Sequence, residues 1–148
     1  MTGKADFTEE EWELLREAPT SAGMIVVTAQ GGGTIRESFA MAKAWAEARQ
    51  QHGESQLLDE LVTDKPKVDR TRAHSVDELR QHGLGQLRDA AALIERKATP
   101  DELDGYRLFV LALADKVASA HREGDVSVSP AEHAAIDEIS AALGSSAA

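Results

Sequence analysis

Cysteine is absent from this chain, which removes disulfides, thiolate metal sites and thiol nucleophiles together. Aromatic residues are scarce: three Phe, two Trp and one Tyr among 148 residues. A core so poor in rings has to be assembled from Ala, Leu, Val and Ile, and that suits closely packed helices. Positive charge is outnumbered, with 16 Lys and Arg against 26 Asp and Glu for a net charge of −10. Such a balance repels nucleic-acid backbones and anionic lipid surfaces, so no nucleic-acid partner is expected. Long apolar runs are missing as well. The longest, residues 108–114, stops at Asp115, far short of the ~20 residues a membrane-spanning helix needs. The opening MTGKADFTEEEW has no apolar stretch of the kind a secretory signal carries. The expectation is a soluble, cytoplasmic, single domain over residues 1–148 with no membrane insertion, since domains commonly hold about 100–200 residues. Its ends, 1–6 and 145–148, are expected to be disordered.

What is present is a set of helix starts. A Ser or Thr at the N-cap accepts from the amide three residues on, while a Glu at that position reaches back to the cap's own amide. The pairing occurs at Thr8 with Glu11, Thr34 with Glu37, Ser75 with Glu78, Thr99 with Glu102, and Ser129 with Glu132. Pro100 and Pro130 occupy the first helical position behind two of these caps, where the missing amide costs nothing. Phe7 and Trp12 flank the first box at the two positions of a hydrophobic staple.

The segments behind the caps carry helical periodicity. Leu103, Tyr106, Val110, Leu113, Val117 and Ala120 recur at steps of three and four, with Leu108, Phe109 and Leu111 at the flanking angles. This reads as a central post, buried on most sides. Ala135, Ile136, Ile139, Ala142 and Leu143 form one stripe behind Ser129, after which GSS ends the ordered chain. Behind Thr34, one stripe contains Ile35, Phe39, Ala42 and Ala46, and a second contains Met41 and Trp45. A short helix follows Ser55 with Leu57, Leu58 and Leu61, and a long one runs from Ser75 to about Lys97, predicted to bend or break at Gly83 and Gly85. No run alternates as a strand does. The fold class is therefore all-α, a compact bundle of about six to seven helices.

Two stretches invite a functional reading. The basic cluster Lys65, Lys67, Arg70 and Arg72 around Pro66 reads as a solvated connector or as internal pairing for the surplus carboxylates. The stretch MIVVTAQGGGTIRES, residues 24–38, resembles a phosphate-binding glycine loop, but it lacks the Lys-Ser/Thr pair and the glycine spaced into the following helix. It aligns better with a second stretch of the same chain. In each, an apolar helix reaches Ala29 or Ala120, a polar glycine loop follows, and a capping box opens another helix. Thr34 then matches Ser129, Glu37 matches Glu132, Met41 matches Ile136 and Ala46 matches Ala141. The bundle is thus expected to contain two pseudo-repeated hairpins, with IVVTA as the last turn of a helix that begins at residues 19–21.

The second stretch, LALADKVASAHREGDVSVSPAEHAAIDEISAALG over residues 111–144, resembles the C-terminal hairpin of the tellurite-resistance TerB-like family. The matching positions are the Ala-rich helix, Glu123 and Gly124 in the loop, Val126 or Val128, and the capping Glu132. The resemblance covers about a quarter of the chain. It implies an all-helical fold with an internal repeat and a link to divalent cations and to bacterial membrane-associated stress complexes. Two departures stand out: Glu123 replaces the family's Asp before Gly, and the first loop, AQGGGTI, has no acidic residue.

The residues themselves allow a weak oxygen site for calcium or magnesium from Asp115, Glu123, Asp125 and Glu132. They do not make an EF-hand, because His121 and Val126 stand where that loop needs Asp and Gly. His133 and Asp137 share a helix face at i, i+4, where they can pair; His52, His74 and His82 have no partner legible in the sequence. No nucleophile elbow and no H-E-x-x-H occurs. The expected function is a non-catalytic binding module for a protein partner or a second copy of itself, with no cofactor, in a bacterial stress-response or signalling setting. The alternative is a divalent-cation sensor or metal-dependent enzyme using the acidic loop. Any divalent cation that binds is expected in that loop and not at residues 31–33. Calcium titrated calorimetrically into the wild type is then expected to give weak saturable heat that a Glu123→Gln, Asp125→Asn variant loses.

Overall fold

The structure is a computed structural model and describes residues 3–29, 35–50, 56–63, 76–121 and 130–144. Six α-helices make up nearly all of it: α1 Glu9–Ala29, α2 Ile35–Gln50, α3 Gln56–Thr63, α4 Val76–Lys97, α5 Pro100–His121 and α6 Pro130–Ala142, with no strand among the described residues. A single 3-10 turn, Lys4–Asp6, precedes them. It lies in the stretch expected to be disordered; one bond caps the turn and two others tie it to α3 and α4. The Gly3 amide donates to Asp6 at 2.9 Å, the Lys4 amide donates to Glu60 at 3.3 Å, and Lys97 donates to the Asp6 carbonyl at 3.2 Å.

The helix starts form as the sequence chemistry dictates where they are described. At the first, the Thr8 amide donates to Glu11 at 2.8 Å and the Glu11 amide returns a bond to the Thr8 hydroxyl at 3.1 Å. At the fourth, the Glu102 amide donates to the Thr99 hydroxyl at 3.2 Å, and Glu102 is itself buried. The Phe7 and Trp12 rings close the staple with centroids 5.8 Å apart. The boxes at Thr34, Ser75 and Ser129 include positions outside the described residues. So do the loops of the two hairpins, and the pseudo-repeat therefore rests on sequence correspondence alone.

α5 is the central post: it packs against each of the other five α-helices. Leu103, Tyr106, Val110, Leu113 and Val117 are buried along it, as their spacing predicts. Trp45 of α2 packs edge-on against Phe109 at 5.2 Å and 70°, an arrangement worth roughly 0.5–1.5 kcal/mol beyond burial. That ring decides the face of α2. Ala44 and Trp45 are buried and Ala48 partly so, whereas Ala42 and Ala46 of the other expected stripe are exposed.

One expected helix start and one expected break do not occur. No helix begins at residues 19–21; α1 runs unbroken through a buried Pro19. Proline has no amide to give to the carbonyl four residues back, and its ring crowds that carbonyl. Here the carbonyl is that of Leu15, and the hydroxyl of Tyr106 donates to it at 3.0 Å. Tyr106 is fully buried, and burial holds its phenol well above the ordinary value, so the donor keeps its proton. α4 likewise runs unbroken through Gly83 and Gly85. At Gly83 a Cβ would sit 2.9 Å from Ile25 Cδ1 and 3.5 Å from Ser21 Cβ, so the missing side chain lets α4 approach α1. Beside this contact Gln86 accepts from the Ser21 hydroxyl and donates to Glu17 at 3.0 Å.

Two measurements follow from these contacts. Tyr106→Phe is expected to lower unfolding free energy in urea by about 1–3 kcal/mol, the cost of an unsatisfied buried carbonyl. Pro19→Ala is expected to recover more in that background than in the wild type, because the substituted alanine supplies the missing amide; equal gains in both would separate the two residues. Gly85→Ala, with nothing within 4 Å of its Cβ, is expected to stabilise by about 0.5–1 kcal/mol. Gly83→Ala is expected to fall short of it, since overpacking costs about 1–3 kcal/mol.

Candidate functional site

A helix of 22 residues cannot be covered along its whole length by one of eight. At 1.5 Å per residue α5 is about 33 Å long and α3 about 12 Å. Among the described residues an open groove of about 500 Å³ lies between α2, α3 and α5. Its floor is apolar, with Phe109, Leu113 and Ala44 buried and Leu58 and Ala48 half-buried. On the α5 wall stands Leu108, 68% exposed, the one large apolar side chain left in solvent among the described residues. Gly105 lies one turn before it and Ala112 one turn after, so the wall is low on both sides of Leu108.

Charge is confined to the rim. Glu47, Asp59, Asp101 and Asp104 contribute four carboxylates and Lys116 the single ammonium. Lys116 donates to Glu47 across the groove, and this hydrogen bond, with the attraction of the ammonium, holds the Glu47 carboxyl below its ordinary range. The Glu47 carboxylate is therefore ionised at neutral pH. Asp104 pairs with Arg107 at 3.1 Å, and Arg107 also donates from Nε to the Leu143 carbonyl at 2.7 Å. The lining contains no Ser, Thr or His.

The residues singled out for a cation are placed elsewhere. Asp115 is exposed on α5. Glu123 and Asp125 lie outside the described residues. Glu132 falls in the first turn of α6, but its side chain is outside the description, as is the basic cluster at Lys65, Lys67, Arg70 and Arg72. His82, His133 and Asp137 are exposed. Among the described residues no three His, Asp or Glu side chains converge to hold an ion, and no helix is long and apolar enough to cross a membrane.

The exposure of Leu108 corrects its reading as a flanking residue of a post buried on most sides. The signal for the groove is in the sequence nonetheless. Asp101, Asp104, Gly105, Leu108, Ala112 and Asp115 follow one another at steps of three, four or one along α5, a polar and small-residue stripe interrupted by one leucine. Comparison with family models, curated proteins and solved structures finds no match, and the groove is read from its own chemistry.

Proposed function

We propose that this chain is a non-catalytic helical interaction module that holds a protein partner in the groove between α2, α3 and α5. The observation that carries the reading is Leu108, 68% exposed beside an open apolar floor. Leaving a leucine in water forgoes about 1.5–3 kcal/mol of burial, a cost that a partner covering it returns. The lining offers such a partner an apolar floor of Phe109, Leu113 and Ala44, and its lysine is engaged by Glu47. The likeness of residues 111–144 to TerB-like hairpins supports a place in a bacterial stress-response or signalling assembly, in the cytoplasm.

A displayed library of helical peptides selected in parallel on the wild type and on Leu108→Glu tests this. The exposed position lets the variant fold, which far-UV circular dichroism verifies. Enrichment of binders that the variant loses is the expected result; enrichment indifferent to residue 108 would remove the groove from the reading.

A further inference from the structure

Resting on the groove as the binding site, we infer that its occupant is an amphipathic helix with aliphatic anchors on one face and Lys or Arg along the flank. Shape gives the first half. From Asp101 to Lys116 the groove follows α5 for fifteen steps, about 22 Å or four turns, the span over which a docked helix presents anchors at i, i+3 or i+4, and i+7. The small residues Gly105 and Ala112 flank Leu108. A second helix can approach the α5 backbone closely there and take the Leu108 side chain between its own ridges. The volume, about 500 Å³, admits several anchoring side chains and not one alone.

Charge gives the second half. Four carboxylates line the rim against Lys116, which pairs with Glu47, and Arg107, which pairs with Asp104 from outside the lining, so the rim keeps an acidic excess of two charges. Asp101 and Asp104 stand exposed at the end where α5 begins, with Asp59 of α3 also on the rim. The chain as a whole carries −10, and that field draws a cationic segment in before contact and repels an anionic one. A second copy of the chain would set one acidic rim against another, and an anionic lipid surface meets the same repulsion. A cationic flank relieves the rim while the anchors cover Leu108.

Two designed peptides separate the halves. Both are helical, carry leucine at i, i+3 and i+7, and bear a fluorophore; one has Lys on its flanks and the other Glu. Fluorescence anisotropy with the full chain at low salt is expected to show the Lys peptide binding roughly tenfold tighter or more than its Glu twin, with the gap narrowing as salt screens the rim. Leu108→Ala is expected to weaken the Lys peptide by about tenfold. Asp59→Asn, Asp101→Asn and Asp104→Asn together are expected to erase the preference. If both peptides bind equally and both need Leu108, the groove stands and the cationic partner is wrong. Sedimentation showing a dimer that Leu108→Ala dissolves would make the second copy the occupant and overturn the inference in the same way. Binding by neither peptide, or binding that ignores Leu108, would overturn the groove itself.

Discussion

A helix of 21 residues that runs through a buried proline has to find another donor for the carbonyl one turn back. In this bundle the donor comes from a different helix, as the hydroxyl of Tyr106. The requirement is stringent, because the Leu15 carbonyl lies in the core, where no water stands in for a missing partner without cost. Satisfying it fixes the height of α1 against α5. With that register set, Ser21 and Ile25 of α1 meet the bare backbone of Gly83 on α4, and Gln86 lands where it reaches both Ser21 and Glu17. A tyrosine, a proline and a glycine, each an unpromising residue for a helical core, settle how three helices pass one another.

The same economy of large side chains shapes the groove. Phe109 and Trp45 fill the space between α2 and α5 at one level, and the small residues Ala44, Ala48, Gly105 and Ala112 line the groove beside Leu58, Leu108 and Leu113. Small residues bring helices close where both partners are present and leave a trough where one is missing. Among the described residues α3, two turns long, borders only part of the α5 face that lines the groove. The groove is a consequence of helix length as much as of side-chain chemistry.

The helical content of the chain is legible because capping boxes and 3.6-residue spacing are local signals. Thr8 with Glu11 and Thr99 with Glu102 form the reciprocal bonds that their spacing predicts. What local signals do not supply is the outcome of long-range contacts. Pro19 reads as a helix start until a tyrosine 87 positions later takes over the role of its amide. Gly83 reads as a weak point until its missing Cβ is seen to admit Ile25. The face of α2 cannot be chosen between two stripes without knowing that Trp45 meets Phe109. The groove is half legible: the stripe along α5 is in the sequence, but the shortness of α3 as a cover is a property of the assembled bundle.

Arg107 sits next to Leu108 and divides its guanidinium between two partners of unequal worth. Its pair with Asp104 is an exposed i, i+3 contact, the aspartate being 67% exposed, and such pairs contribute about 0.2–0.5 kcal/mol. Its bond from Nε to the Leu143 carbonyl, at the last turn of α6, is charge-assisted and part-buried, in a class worth about 1.5–3 kcal/mol. Gly144, at φ +76°, turns the chain there, and a Cβ on it would meet the guanidinium at 3.1 Å. A cation arriving at Asp104 thus competes only for the weaker bond. The C-terminal helix keeps its anchor whichever partner Asp104 takes, and the rim of the groove is energetically insulated from the scaffold that carries it.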